Sequence, residues 1–506
     1  LSTGKAWRAH GRGAGAGVAD EGIRMHVTAD ELRMAVAGQW VVPPPSPRPR
    51  PGFAPAPFTM SGVGTDTRDD LRGRLFVALR GERHDAHAFL AAAMAAGASA
   101  ALVDRKAKGY PRPEGFPLIE VADTRVALGD LGRWWRGRLR AKVVAITGSS
   151  GKTTTRRLVD AALATRMTGT ASPKSFNNDV GVPLTILGAA STDGYLVAEI
   201  GMNHPGEIAP LSAMAAPHVA IVTMAGLAHL GGMGSAEAIV AEKSSIVDGL
   251  GTTGIAIVNG DQPALVAAVE ARAKPGVRVV TFGTGDACRW RLLGRAPRGG
   301  GQSMRVREPD GTEWSADLGL PGDYNAMNAL AAAACARMLG IPAEAAAGAF
   351  AATEPADMRM TRQPVGDCVV FNDAYNANPD AVLASLRAFA ELAEGAPRRV
   401  TVLGDMLELG ERSAELHASV GRAAALLGPA LAAFVGEASA HAASAALAAA
   451  GPGTEVLHVP ALDGPGVAAI AARLRAGDHV LLKGSRGSRM ERLVDALRPR
   501  EPASAG

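Results

Sequence analysis

Between residues 141 and 345 the sequence alternates short apolar runs with helical patterns: "KVVAIT", "YLVAEIG", "HVAIVTM", "GIAIVNG" and "VRVVTFG". A strand with one face in water alternates apolar and polar side chains. Unbroken apolar runs of this length, most of them followed by a helical stretch, instead imply a mainly parallel sheet covered on both faces. A second block from about residue 355 repeats the pattern with "CVVFN", "RRVTVLG", "LAAFVG", "EVLHVP" and "HVLLKG", each leading into a helix. A smaller unit precedes both, with "RLFVALRG" as a strand, a helix from about Ala86 to Ala96, and "SAALV" as a further strand. The segment "RVREPDGTEWSADL" interrupts the central alternation and reads as a hairpin turning at Asp310-Gly311. The fold class is therefore α/β. A chain of 506 residues is too long for one core, and the pattern divides it into domains at 58–140, 141–350 and 351–500.

Residues 1–57 stand outside that scheme. Residues 1–24 are glycine-rich and begin with Leu1, which reads as a disordered or misassigned upstream extension with Met25 as the natural start. "VTADELRMAVAG" reads as a short helix capped by Thr28, with Glu31 at the capping-box position. "PPPSPRPRPGFAPAP" (43–57) fits neither helix nor central strand and reads as an extended linker.

Composition excludes several classes of function. The net charge is +4 and spread along the chain, which suits an anionic small molecule better than a nucleic acid. Cys288, Cys335 and Cys368 lie far apart, so neither a zinc site nor a disulfide framework is indicated. The most apolar stretch, "FLAAAMAAGASAALV" from Phe89, falls short of the roughly 18 residues that a membrane span needs. No signal peptide is evident, so a cytoplasmic location is expected.

The chemistry is concentrated in "VVAITGSSGKTTT" (143–155). A buried strand, 142–147, runs into Gly148-Ser149-Ser150-Gly151, and a helix begins at Lys152. Backbone N–H groups of such a turn, with a helix N-terminus behind them, form an anion cradle. Lys152 would reach the outer phosphates and the Thr153 hydroxyl would ligate magnesium. Glu199, closing the next buried strand, lies at the same carboxyl edge of a parallel sheet and is the acidic partner for that ion. The usual phosphate-loop pattern would place a glycine at Ile146.

The shortened loop "TGSSGKTTT" resembles that of the Mur ligases, the ATP-dependent enzymes that build the peptide stem of the bacterial cell wall, where Gly-x-x-Gly-Lys-Thr is the rule. The resemblance extends from about 58 to 497 through "DTRDDLRGRLFVALRGERHDAHAF", "SFNNDVGVPLTIL", "AEIGMNHPGEI", "NDAYNANPDAV", "VLGDMLELG" and "LLKGSRGSRME". Within the family these blocks resemble the branch that adds D-alanyl-D-alanine. The Thr-Thr-Pro stretch and Asp-Asn-Pro-Arg-type motif of the branch that adds diaminopimelate or lysine are missing.

The resemblance implies a three-domain architecture with a central phosphate-loop ATPase sheet and a Rossmann-like last domain. It implies ATP as co-substrate, two magnesium ions, and a monomer acting on UDP-N-acetylmuramoyl-tripeptide and D-alanyl-D-alanine. By the same resemblance Gly148, Ser149, Ser150, Gly151, Lys152, Thr153 and Thr154 hold the nucleotide phosphates. Thr153 and Glu199 serve one ion; His229 and Lys243 serve the second, with Lys243 carbamylated. Asn328 would contact adenine, Arg359 the γ-phosphate and Asp373 the ribose, while Tyr324 stands where the family has a histidine. Thr65, Asp66, Thr67 and Arg68 would form the UDP-binding edge, although Arg68 equally suits an ion pair with Asp66. Asn177 and Asn178 would hold the sugar-peptide. Tyr375, Asn376 and Asn378 would face the last cleft, and Lys483 would bind an anionic group such as the peptide carboxylate. Three alternatives stay open: a folylpolyglutamate synthase-like or other Mur-type amide ligase, a nucleotide-binding switch, and an ATPase acting on nucleic acid.

Overall fold

The computed structural model describes residues 25–45, 57–82, 84–107 and 109–498. The expected extension at 1–24 and the larger part of the proline-rich run lie outside them. The chain forms two compact units. Of the described residues, the first holds those up to 144 together with 167–198 and 213–217; the second holds 145–166, 199–212 and those from 218 onward.

In the first unit five strands pair in the order Gln39–Val42, Leu118–Val121, Ala100–Asp104, Leu75–Val77 and Val63–Gly64. All pairs are parallel except the first. The helix Ala29–Ala35 carries the expected capping box: the Glu31 N–H donates to Thr28 Oγ1 at 3.2 Å, and the Thr28 N–H donates to Glu31 Oε2 at 3.0 Å. Such a cap is worth about 1 kcal/mol. The residues around it do more than the sequence indicated. His26–Thr28 pairs antiparallel with Thr59–Ser61, Gln39–Val42 joins the sheet edge, and Met25, Val27 and Leu32 are fully buried. Strands of three and four residues are too short to show a period, which is why only the helix was legible.

The helix Thr124–Arg136 starts where Asp123 Oδ1 accepts the Arg125 and Val126 N–H groups at 2.8 and 3.1 Å. It buries Ala127, Leu128, Leu131 and Trp135 along one face. Trp135 Nε1 donates to Ala189 O at 3.0 Å, which ties this helix to the end of the helix Gly181–Leu187. Truncating a buried leucine such as Leu131 costs about 2–5 kcal/mol in such a core.

The second unit contains two sheets. In one, Glu313–Leu318, Gly301–Arg307 and Trp290–Arg298 form an antiparallel meander that continues into the parallel strands Arg278–Gly283, Ile255–Asn259 and Val219–Val222. Beside the last of these the strand Lys142–Thr147 ends, with the Thr223 N–H donating to Thr147 O at 3.0 Å. The expected hairpin is present, with Arg307 opposite Glu313 and Gly311 at φ +90°. The other sheet runs Thr361–Val365, Cys368–Asn372, Asp478–Lys483, Arg398–Gly404, Leu431–Val435, Glu455–Val459. It is parallel apart from its first pair. Val370, Val400, Val402, Ala433, Val480 and Leu482 form its core on one face. The three cysteines are buried and unbridged. Among the described residues no helix is long and apolar enough to cross a membrane.

Candidate active site

The strand Lys142–Thr147 delivers the phosphate loop at the carboxyl edge of the sheet, and the helix Lys152–Ala164 leaves from it. Gly151 caps that helix at φ +87°, and a Cβ there would run into Asn328 Oδ1, so glycine is required on two counts. The loop is braced by the segment after the neighbouring strand. Ser149 N–H donates to Met224 O, Ser149 Oγ to Gly226 O, and Thr223 Oγ1 to Ser150 O, at 2.9, 2.9 and 2.6 Å. Gln262 in turn clasps Ala225, accepting its N–H and donating to its carbonyl, both at 2.9 Å.

Within this cradle Lys152 Nζ donates to Gly148 O at 2.7 Å. Burial pulls its ammonium below the usual lysine range, the Glu199 carboxylate opposing and the Arg359 charge adding to the shift. Thr153 Oγ1 donates to Glu199 Oε2 at 2.9 Å and accepts from Arg359 Nη2 at 3.1 Å. Thr153 and Glu199 are both buried. A further cation, Arg156 Nε, lies 4.0 Å from the same Glu199 oxygen. Thr154 is half-buried on the first turn of the helix. Thr155 Oγ1 donates to Asn328 Oδ1 at 3.2 Å, and Asn328 Nδ2 to Asn325 Oδ1 at 3.3 Å, which fixes both amides at the start of the helix Asp323–Met338. Burial raises the Tyr324 phenol well above its ordinary pKa, with Asp373 and Asp323 adding to the effect, so this position holds a neutral group at physiological pH.

Residues from the last third of the chain close on the loop. Arg359 lies over the Tyr375 ring, its Cζ 4.3 Å from the centroid. Asn378 caps the helix Pro379–Leu392 through Ala381 N–H at 2.9 Å and donates to Ser150 Oγ at 3.2 Å. Asp380, which sequence reasoning missed, accepts the Leu227 N–H at 2.8 Å. Asn376 is used locally, its Oδ1 accepting the Ala377 N–H at 2.9 Å.

His229 and Lys243 belong to the same electrostatic neighbourhood as Lys152. Burial pulls the His229 imidazole below its ordinary value against the opposing charge of Glu408, while Lys152 and Lys243 add to the lowering. His229 Nδ1 is hydrogen-bonded to Glu408 Oε2. Lys243, 1% exposed, is no solvated helix lysine. Burial and the Lys152 charge push its ammonium well below the ordinary range, Glu242 opposing. Glu242 is itself committed to two backbone donors, Gly206 N–H and Ile208 N–H, each at 2.8 Å.

Two expected ligand groups are already engaged within the protein. Lys483 Nζ donates to Asp373 Oδ2 at 2.6 Å, and Ser385 Oγ donates to the same oxygen at 2.5 Å. Asn372 pairs with Leu482 in the parallel register, so the next residue on each strand, Asp373 and Lys483, emerges beside the other. Lys483 thus anchors Asp373, and a peptide carboxylate would have to displace that carboxylate to reach it. In the first unit Arg68 forms a two-pronged pair with Asp66, Nε to Oδ1 at 2.8 Å and Nη2 to Oδ2 at 2.5 Å, beside half-buried Thr65 and Thr67. Asn178 Oδ1 accepts the Val180 and Gly181 N–H groups at 3.3 and 2.9 Å, next to Asn177.

A hydroxyl and a carboxylate held together at a phosphate loop suit a hard, oxygen-seeking ion such as magnesium, which keeps waters and takes phosphate oxygens for its remaining positions. The pair Thr153–Glu199 fits that requirement. Among the described residues no three His, Cys, Asp or Glu side chains converge as a ready-made metal cluster. His229 supplies a nitrogen, but an unmodified Lys243 ammonium does not fit a second ion; a carbamate on that nitrogen would.

Comparison with known proteins identifies the family. Residues 146–336 match the Mur ligase middle domain, and residues 358–486 match the Mur ligase glutamate ligase domain. The chain is 36% identical over 457 residues to the UDP-N-acetylmuramoyl-tripeptide–D-alanyl-D-alanine ligase of Escherichia coli, covering 87% of this chain and 94% of that protein. It superposes on crystal structure I of MurF from Acinetobacter baumannii with a TM-score of 0.78 at 30% identity, over 94% of this chain and 99% of the other. MurF ligase from Thermotoga maritima in complex with ADP gives 0.73 at 26% identity, over 86% and 96%. The chain has the three-domain α/β architecture of these proteins and belongs to the Mur ligase family, the ATP-dependent amide ligases of peptidoglycan synthesis.

Proposed function

We propose that this chain joins D-alanyl-D-alanine to UDP-N-acetylmuramoyl-tripeptide in the cytoplasm, as a monomer, yielding the UDP-pentapeptide, ADP and phosphate. The observation that carries the ATP-dependent half is the convergence of Lys152, the Thr153–Glu199 pair, Arg359 and Asn378 on one phosphate loop. The choice of substrates is supported by the identity to the D-alanyl-D-alanine-adding enzyme of E. coli along almost its whole length.

In this reading the tripeptide carboxylate attacks the γ-phosphorus of ATP, the bond to the β-phosphate oxygen breaks, and an acyl phosphate and ADP result. The amine of D-alanyl-D-alanine then attacks the acyl carbon, loses a proton, and expels phosphate. Both steps gather negative charge between groups that already repel, so fixed cations are the main catalytic resource. Lys152 and Arg359 supply two of them close to Thr153. The backbone of Gly148–Gly151 holds the phosphates without adding mobile charge. Asn328, held by Asn325, offers its amide to the adenine, and Asp373, steadied by Lys483 and Ser385, faces the ribose. Thr65, Asp66, Thr67 and Arg68, with Asn177 and Asn178, present the UDP-sugar-peptide.

Thr153 and Glu199 would hold one magnesium ion; His229 and a carbamylated Lys243 would hold the other. Bound there, the ions supply Lewis-acid neutralisation of the carboxylate and the γ-phosphoryl group. In this reading 58–140 binds the UDP-linked substrate, 141–350 is the central ATP-binding domain and 351–500 is a C-terminal ligand-binding domain.

The test is phosphate release from ATP by purified protein with magnesium, omitting one partner at a time. Release that requires both UDP-N-acetylmuramoyl-tripeptide and D-alanyl-D-alanine, with a UDP-pentapeptide detected by mass, is the expected result. Release supported by a single amino acid or by glutamate would leave the nucleotide site intact and overturn the substrate assignment.

A further inference from the structure

Gln262 follows the strand Ile255–Asn259 and is the N-cap residue of the helix Pro263–Arg272. A side chain at that position ordinarily accepts N–H groups of the helix it starts. The Gln262 side chain makes no such bond. Its amide is spent on Ala225, with Oε1 accepting the Ala225 N–H and Nε2 donating to the Ala225 carbonyl, both at 2.9 Å. The residues on either side of Ala225 hold the phosphate loop. Met224 O accepts the Ser149 N–H, and the Gly226 N–H donates to Ser149 Oγ, both at 2.9 Å. A trans peptide is planar, with its C=O and N–H on opposite edges. The Ala225 N–H shares a peptide plane with Met224 O, and Ala225 O shares one with the Gly226 N–H. Gln262 and Ser149 therefore grip the same two peptide groups from opposite edges. The contact is close: Thr223 Oγ1 donates to Ser150 O at 2.6 Å, and a Cβ on Gly148 would run into that hydroxyl.

We propose that Gln262 is a positioning residue for the phosphate loop: by orienting the two peptide groups that seat Ser149, it holds the cradle in the shape that receives the β-phosphate of the nucleotide. The inference rests on the reading of Gly148–Gly151 as that cradle. A glutamine suits the task, because one uncharged amide carries the acceptor and the donor that a single residue's N–H and C=O require. It also brings no negative charge toward an anionic ligand. The rest of the segment has other anchors. Asn259 Nδ2 donates to Thr223 O at 3.0 Å, and Asp380 Oδ2 accepts the Leu227 N–H at 2.8 Å. Loss of the Gln262 clasp therefore frees the two peptide groups without releasing the segment. Its N-cap position also makes its role separable from stability. Serine there is a preferred cap for the helix, yet is too short to reach Ala225 as glutamine does.

The experiment is calorimetric titration of the full-length protein with ADP and with AMP, both with magnesium, alongside the thermal midpoint without nucleotide. Gln262→Ser should keep or raise the midpoint through the better cap. It should nevertheless raise Kd for ADP by roughly tenfold, through the loss of two hydrogen bonds that shape the cradle. AMP has no β-phosphate for the cradle to hold, so its Kd should stay within about twofold. Stability and ADP affinity then move in opposite directions, which a merely structural residue would not produce. An unchanged Kd for ADP in Gln262→Ser would overturn the inference. Equal weakening of AMP and ADP would do the same, because the residue would then act on the nucleoside or on the fold at large. Lys152→Ala separates the two levels. If it weakens ADP while Gln262→Ser does not, the inference falls and the cradle stands. If Lys152→Ala leaves ADP binding unchanged, the reading of the cradle falls and takes the inference with it.

Discussion

Around the phosphate loop, Thr153 bonds Glu199 across 46 residues of sequence, Arg359 bonds Thr153 across 206, and Asn378 bonds Ser150 across 228. In the first unit, among the residues proposed to recognise the UDP-linked substrate, Arg68 bonds Asp66 two residues before it, and Asn178 caps the turn that follows it. The first set is largely buried and forms only when the fold is complete. The second is local and close to solvent, with the Arg68 side chain 87% exposed. The difference matches two kinds of work. Charge developing during phosphoryl transfer is best met by groups that do not reorganise, so those groups are locked by distant partners. Recognition of a large, flexible sugar-peptide tolerates side chains that exchange an internal partner for a ligand. Substitutions in the first region should therefore lower kcat, and substitutions in the second should raise KM.

The largest effect is expected at Lys152. Lys152→Ala should lower kcat/KM for ATP by about 1,000-fold, about 4 kcal/mol of transition-state stabilisation, measured by steady-state phosphate release. A variant that only raised KM for ATP would break the comparison, because the residue would then act in ground-state binding. Next comes Lys243→Ala, with a loss of roughly 100-fold expected for a missing charge-stabilising group, partly restored by acetate or formate at high concentration. Near-normal turnover without added carboxylate would remove Lys243 from the ion site.

The contrast also explains what the sequence disclosed. The strand, turn and helix of residues 142–152, the buried strand closing at Glu199 and the hairpin at Asp310-Gly311 each rest on a local pattern: an apolar run, a glycine pair or a turn dipeptide. Asp380, Glu408, Thr223 and Gln262 carry no such pattern. A carboxylate in "MLELG" is indistinguishable from any surface glutamate until the fold brings it to His229, 179 residues earlier. Lys483 shows the same limit. At a strand end before Gly484 it reads as an anion site, and only the register of Cys368–Asn372 against Asp478–Lys483 brings out its internal partner, Asp373. Strands of three or four residues, such as His26–Thr28, were too short to read against the helix beside them.

Arg359 sharpens the comparison at intermediate size. Its guanidinium both stacks on Tyr375 and reaches Thr153 Oγ1, and lysine cannot do both. Arg359→Lys should lower kcat by roughly tenfold, about 1.4 kcal/mol. Tyr375→Phe keeps the ring and should stay within about twofold, because the cation–π contribution is preserved. If Tyr375→Phe fell as far as Arg359→Lys, the phenol oxygen and not the ring face would be the working part of that residue.

The smallest effect is expected at Arg68. Its pair with Asp66 is open to solvent, so its loss should leave the thermal midpoint unchanged. Arg68→Ala should raise KM for the UDP-linked tripeptide by roughly three- to tenfold, through the loss of one charge-assisted contact to an anionic ligand. It should leave kcat and KM for ATP alone, because nothing in the phosphate-loop network depends on it. Asp66→Asn refines the point: if Arg68 must leave Asp66 to reach the substrate, weakening that internal bond should lower KM, not raise it. A fall in kcat comparable to that of Lys152→Ala would mean that the recognition edge is as fixed as the phosphate loop, and the division between a locked catalytic region and a yielding recognition region would not hold for this chain.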